Sequence, residues 1–195
     1  YLPHKNHQEQ FMGNGFVQPF CDTPLDEEIV GENVYLNIIN KARRYVYICT
    51  PYLIIDNEMM TALCLATKNG VDVRIMTPGT PDKKLVFLLT QSYYRQLLEN
   101  GVKIYEYQPG FLHAKTFVCD DEIAVVGTIN LDYRSLYLHF EDGVWIYGND
   151  VIWSMKEDFV QTLEDCHTVP LEFCKNRKIP VRIMQNVLRA FAPML

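Results

Sequence analysis

The six cysteines, Cys21, Cys49, Cys64, Cys119, Cys166 and Cys174, include no C-x-x-C pair. Four of them lie in apolar runs, where a free thiol behaves as a small hydrophobe, so a reducing, cytosol-facing setting is expected. No apolar run approaches the roughly 18 to 20 residues that span a bilayer, and no signal-peptide pattern opens the chain. Basic residues are outnumbered: 18 Lys and Arg against 24 Asp and Glu give a formal net charge of −6 and a pI near 5.3. That removes the basic footprint of a dedicated nucleic-acid binder, although a local positive pocket stays compatible with an acidic chain. No low-complexity tract or internal repeat is present. His4, His7 and His167 lack partners at metal-ligand spacing and are expected to face solvent.

What is present is enough for a full core: 195 residues, 48% hydrophobic and 22% charged, with one large domain as the default. The opening "YLPHKNHQEQ" reads as the interior of a longer protein. Residues 1–20 are accordingly expected to be a linker from a missing N-terminal half, 21–170 a single domain, and 171–195 a helical tail. After an irregular opening, apolar spacing at three and four predicts a helix from about Asp26 to Ala42. "RRYVYICTPYLI" predicts a strand ending at Thr50-Pro51. Asp56 caps a helix that Gly70 stops. "VDVRIMTPG" is a strand, residues 82–101 a helix closed by Gly101, and "VKIYEYQ" a strand. This alternation calls for an α/β fold with a largely parallel sheet flanked by helices. Three further strands are expected at Leu112–Cys119, Ile123–Gly127 and Gly143–Tyr147, extending or reversing the sheet as hairpins, then a helix from about Asp150 to Asp165.

The segment "GFLHAKTFVCDDEIAVVGTINLDYRS" holds the chemistry. A histidine and a lysine two apart in an apparently buried strand are costly unless something uses them. In a strand they project from one face, about 7 Å apart at Cα, with room for a phosphate between them. By the same parity Asp120 points to the opposite face, as a structural partner. Thr128 and Asn130 again stand two apart and bring neutral groups suited to phosphate oxygens. Asp132 and Arg134 read as a structural ion pair. With Glu141, the set His113, Lys115, Thr128, Asn130 and Glu141 falls at offsets 0, 2, 15, 17 and 28.

"HAKTFVCD", "GTINLDYRS" and "HFE" together resemble the HKD motif of the phospholipase D superfamily. "TPYLIIDNEMMTAL", "GVDVRIMTPGTPD" and "SYYRQLLENGVKIYEYQPGFLHAK" narrow the likeness to the C-terminal half of bacterial cardiolipin synthases, from about Gly15 onward. Those enzymes carry two HKD motifs and N-terminal membrane helices; this chain shows one motif. The resemblance implies a phospholipase D-like fold, a mixed sheet with helices on both faces, and two displacements at phosphorus through a phosphohistidine. His113 would be the general acid and then the base, because the nucleophile in two-motif relatives is usually the first-motif histidine. Lys115 and Asn130 would hold the phosphoryl oxygens, Glu141 would orient an imidazole, and Thr128 would support them. No metal or cofactor is implied.

The implied reaction joins two phosphatidylglycerols into cardiolipin with release of glycerol, at the cytoplasmic face of the cell membrane, held there by segments outside this chain. The implied partners are these lipids, a membrane surface and an upstream HKD half; nucleic acid is not among them. Two alternatives remain: a single-motif nuclease or phosphodiesterase completed by a homodimer mate, and a non-catalytic lipid-binding half. The tail "IPVRIMQNVLRAFAPML" places Ile183, Val187 and Phe191 on one side and Arg182, Gln185 and Arg189 on the other. It is an amphipathic helix that either packs on the domain or lies on an anionic membrane.

Overall fold

The computed structural model describes residues 13–194. In chain order its elements are β1 (Phe16–Asp22), α1 (Val30–Lys41), β2 (Tyr45–Cys49), β3 (Leu53–Ile54), α2 (Asn57–Lys68), β4 (Asp72–Pro78), α3 (Lys84–Glu99), β5 (Lys103–Tyr107), β6 (Thr116–Cys119), β7 (Ile123–Gly127), β8 (Leu131–Asp132), α4 (Tyr133–Tyr137), β9 (Glu141–Tyr147), α5 (Val151–Thr162), β10 (Cys166–Thr168), α6 (Leu171–Lys175) and α7 (Ile179–Ala190). Short 3-10 turns follow α5 and α7, at Leu163–Asp165 and Ala192–Met194.

The local signals explain most of these limits. The Asp56 carboxylate accepts from Met59 N at 2.8 Å and so starts α2. Gly70 and Gly101, at φ of +89° and +97°, turn the chain after α2 and α3 where other residues would be strained. α1 starts at Val30 rather than Asp26, because the Asp26 side chain folds back onto Glu28 N and holds a turn there. The opening that reads as irregular holds β1, an edge strand that is mostly exposed and carries Pro19.

Eight strands form one sheet in the order β1-β9-β7-β6-β2-β4-β5-β10. The sheet is mixed, as expected, but parallel pairing is confined to β2 with β4 and β4 with β5. The other five pairs are antiparallel, so the parallel share is smaller than the helix-strand alternation suggests. A parallel pair needs a long crossover, which α2 and α3 supply; β5, β6 and β7 follow one another too closely in sequence for helical crossovers.

Each strand divides its side chains between two cores. Val46 and Ile48, Val73 and Ile75, Phe117, Val125 and Ile104 face α1, α2 and α3. Tyr45, Tyr47 and Cys49, with Met76, Val118 and Ala124, face Ile152 and Phe159 of α5. Helices thus cover both faces. Cys49, Cys64, Cys119 and Cys174 are buried free thiols, consistent with their reading as hydrophobes.

Candidate functional site

The register brings the motif to one edge of the sheet. Cys49 pairs with Thr116, Thr116 with Val126, and Gly127 with Gly143. The end of β2, the approach to β6, the exit from β7 and the start of β9 therefore emerge together, at the border between the parallel and antiparallel parts. A short parallel strap, β3 with β8, ties the segments after β2 and β7. Thr50 joins it: its Oγ1 donates to Tyr52 O at 2.7 Å and accepts from Leu131 N at 3.1 Å.

His113 and Lys115 do not share a strand face. β6 begins at Thr116, because its neighbour β2 ends before Thr50-Pro51; on the other side only the Lys115 carbonyl is still bonded, by Gly127 N at 3.3 Å. His113 is exposed and Lys115 only 9% exposed. The lysine turns back so that Nζ donates to the His113 carbonyl at 2.8 Å. Burial holds its pKa below the usual lysine value, while the nearby carboxylates of Glu141 and Asp132 pull it upward. The His113 ring lies in a row of aromatics, 5.7 Å from Phe111, which is 6.3 Å from Tyr52.

Thr128 and Asn130 also part company. Thr128 is bound to β9: its N donates to Asp142 O at 2.8 Å and its Oγ1 accepts from Asp142 N at 2.9 Å. That fixes the residue next to Glu141. Asn130 donates through Nδ2 to Ser135 Oγ at 2.8 Å, while its buried Oδ1 has no partner. An orphaned buried acceptor beside a cleft is a ready site for a donor from a ligand.

Glu141, 9% exposed, faces an imidazole, but it is that of His139, with Oε1 3.6 Å from Nδ1. His139 Nε2 in turn lies 3.3 Å from an Arg134 nitrogen. Arg134 therefore serves His139 and forms no ion pair with Asp132, whose Oδ1 instead accepts from Ser135 N and caps α4. Asn130, Asp132, Arg134 and His139 line a cleft of about 200 Å³ together with Tyr52 and Lys83. His139 and Tyr52 are site neighbours that the pattern did not single out, and Asp132 is one it read as the ion-pair partner of Arg134. The signal for His139 was its position two residues before Glu141 in "HFE".

Asp120 lies at the far end of β6. It is 8% exposed and accepts from three consecutive amides, Arg43 N at 2.7 Å, Arg44 N at 2.8 Å and Tyr45 N at 2.8 Å. It bonds backbone amides, as a structural partner does, but from a turn residue with φ of 55° after β6, so strand parity is not what places it. Among the described residues no cluster of His, Cys, Asp and Glu has the makings of a metal site. His167 is exposed, as expected; His4 and His7 lie outside the described residues.

The site thus combines an exposed imidazole, a buried ammonium near two carboxylates, and an amide that borders a cleft. That set can bind a phosphodiester, stabilise charge on it and transfer a proton. A family model described as "Cardiolipin synthase, PLD-like domain" matches residues 35–163. An uncharacterized protein of Streptococcus mutans is 51% identical over the whole chain, which covers 42% of that protein. A cardiolipin synthase of Geobacillus is 39% identical over 94% of the chain and 36% of its own length. The chain therefore spans about two-fifths of the curated relatives it matches. Among solved structures, phosphatidylserine synthase of Haemophilus influenzae superposes with a TM-score of 0.72 at 18% identity, covering 91% of this chain and 45% of that one.

Proposed function

The chain belongs to the family of cardiolipin synthase phospholipase D-like domains, and from that premise we propose that it is the C-terminal catalytic half of a cardiolipin synthase. In the proposed reaction a histidine of an upstream HKD half attacks the phosphorus of phosphatidylglycerol. The bond from phosphorus to the glycerol oxygen breaks, and His113 gives its proton to the departing glycerol. His113 then takes a proton from the hydroxyl of a second phosphatidylglycerol. That oxygen attacks phosphorus, the phosphorus–nitrogen bond breaks, and cardiolipin leaves. Lys115 and the second N–H of Asn130 Nδ2 hold the phosphoryl oxygens, and Asn130 Oδ1 stays open to a substrate hydroxyl; Glu141, through His139, and Thr128 keep this end of the site in place.

The observation that carries the reading is the pairing of an exposed His113 imidazole with a buried Lys115 at the end of the central strands. The chemistry needs imidazoles on both sides of one phosphorus, and His113 alone has the H-x-K context. No helix among the described residues is long and apolar enough to cross a membrane, so insertion is assigned to segments outside this chain.

The test is cardiolipin formation from phosphatidylglycerol vesicles, followed by mass spectrometry. The whole protein is expected to make cardiolipin and one glycerol per turnover, its His113→Ala variant none, and residues 1–195 as a verified monomer none. Full-rate synthesis by the monomer sinks the split site; synthesis by a folded His113→Ala protein sinks the assignment of His113.

A further inference from the structure

The C-terminal segment carries its charge differently from the rest. From Phe173 to Leu195 it has five cations, Lys175, Arg177, Lys178, Arg182 and Arg189, and no Asp or Glu, in a chain of net charge −6. α7 is docked by a mixed side in which Leu188 packs on the core beside Gln185 and Arg189. Buried Gln185 donates through Nε2 to Leu88 O of α3 at 3.1 Å. The Arg189 guanidinium lies 4.3 Å from the Tyr93 ring centre. The apolar stripe of the helix points outward instead: Ile179, Ile183, Met184, Val187 and Phe191 are 48 to 71% exposed. A helix whose place was set only by packing on this domain would turn that stripe inward.

A cleft of about 360 Å³ lies between α3 and this helix, lined by Arg95, Arg177, Arg182 and Arg189 with one carboxylate, Glu99. Glu99 is taken up by Arg95 at 2.9 Å. Arg177 and Arg189 bond only neutral amide oxygens, those of Gln91 and Gln96. Arg182 has no carboxylate within ion-pair distance among the described residues. Three guanidinium charges therefore remain uncompensated around a hollow large enough for a phosphate.

We propose that this cleft binds the phosphate of an anionic phospholipid in a membrane surface, while the outward stripe of α7 lies among the acyl chains. Guanidinium forks match phosphate oxygens two at a time. Arg182 and Asn186, one turn apart, border the cleft, and Ile183 and Val187 follow each of them in sequence, so headgroup and chain contacts lie side by side as on an interfacial helix. The acidic remainder of the chain is repelled by the same surface, so this end alone faces the bilayer. The turn after α7 places Ala192 in the wall of the Asn130 cleft, so seating the helix brings that cleft to the level of the headgroups. The proposal shares the lipid class of the proposed function, but its binding requires no turnover.

The test is co-sedimentation of the 195-residue chain with vesicles of phosphatidylcholine alone or mixed with phosphatidylglycerol. Binding is expected only to the anionic vesicles and to weaken as salt is raised. Ile183→Ser/Val187→Ser/Phe191→Ser is expected to lower the partition coefficient at least about tenfold, since three apolar side chains lose their burial in lipid. Arg182→Gln, at an exposed position and one of the three uncompensated guanidiniums, is expected to weaken the preference for anionic vesicles. Each variant's melting curve is recorded alone and in the whole protein. Unchanged partition of the stripe variant overturns the proposal. So does a stripe variant that changes the oligomeric state or lowers the melting temperature of the whole protein, because the stripe is then a protein interface. Equal competition by millimolar inorganic phosphate in the stripe variant and the unmodified chain reassigns the cleft to free phosphate and also overturns it. Cardiolipin synthesis is measured in parallel: a whole protein that makes none while vesicle binding behaves as described sinks the proposed function and leaves this inference standing.

Discussion

Replacing Asp120 with asparagine separates architecture from chemistry within the motif. The carboxylate ends β6 and holds the amides of Arg43, Arg44 and Tyr45, so it anchors the start of β2. Its backbone carbonyl is also bonded by the Arg44 guanidinium. Asparagine keeps the shape and tolerates the left-handed backbone at φ of 55°, so the change is confined to the carboxylate. In its better orientation the amide oxygen keeps the Arg44 and Tyr45 bonds made by Oδ1, and the new NH2 stands against the Arg43 N–H. One charge-assisted bond is lost, the other two become neutral, and one donor is left facing another. At ~1.5–3 kcal/mol for a bond to a charged group, and discounting for the partial exposure of Arg43, the cost is about 2 kcal/mol. For a chain of this size that lowers the melting temperature by roughly 4–8 °C. Asp120→Ala abandons all three amides and adds strain at a positive φ, and is expected to cost about twice as much.

Thermal and urea unfolding followed by circular dichroism give the stability, and turnover per folded molecule in the whole protein gives the chemistry. Asp120→Asn is expected to fall within the stated range and to keep turnover within about threefold of the unmodified enzyme, since less than a kilocalorie of barrier change is anticipated. An unaltered melting temperature together with a thousandfold loss of turnover would falsify the structural assignment and move Asp120 into the reaction.

Lys115→Met, which keeps length and removes charge, is expected to lower turnover by roughly 10²–10³ or more, with stability unchanged or raised, because the buried ammonium stabilises the transition state and not the fold; a loss of stability with normal turnover refutes this. Activity is expected to survive EDTA, since imidazole and ammonium supply nucleophile and charge clamp; loss that only zinc or magnesium restores counts decisively against it. The third case is pH. Glu32 is 6% exposed, and its pKa is pushed up to about 7 by burial first and by the neighbouring Asp56. The hydroxyl of Tyr137 lies 2.7 Å from both carboxylates. A carboxyl with a raised folded pKa binds more protons folded than unfolded, so stability falls as pH rises from about 4.5 to about 7. Asp56 shares the proton, so the fall is about 1–3 kcal/mol, less than an isolated shift would give. Glu32→Gln is expected to flatten the urea midpoint over that window, and an unchanged slope rules the pair out as its source.

How much of this was legible depended on whether the deciding interaction was local in sequence. The Asp56 cap, the glycines at positions 70 and 101 and the β-branched and aromatic run of β2 all act within a few residues, and the sequence reading placed them correctly. β1 was missed because its stability comes from pairing with β9, and its own residues, exposed and interrupted by Pro19, carry little pattern. The site failed in the same manner. Treating residues 112–119 as one strand put His113 and Lys115 on a common face, yet a strand lasts only as long as its neighbour, and Pro51 ends that neighbour. Losing the ladder lets the chain turn: Lys115 goes inward toward Glu141 and Asp132, and His113 stays at the surface, where a phosphodiester can reach it.

The tail shows the complementary limit. Its amphipathic period was plain, and the period alone is equally compatible with either side of the helix being buried. Gln185 under Leu88 and Arg189 on Tyr93 decide it, and those partners lie 97 and 96 positions away in the chain. Composition held the one further clue, a last segment with five cations and no carboxylate in an acidic protein. A protein core gains nothing from that charge, whereas an anionic lipid surface is attracted by it. The same helix therefore reads as packing when only its apolar residues are counted, and as an interfacial element when its charges and its docking side are counted with them.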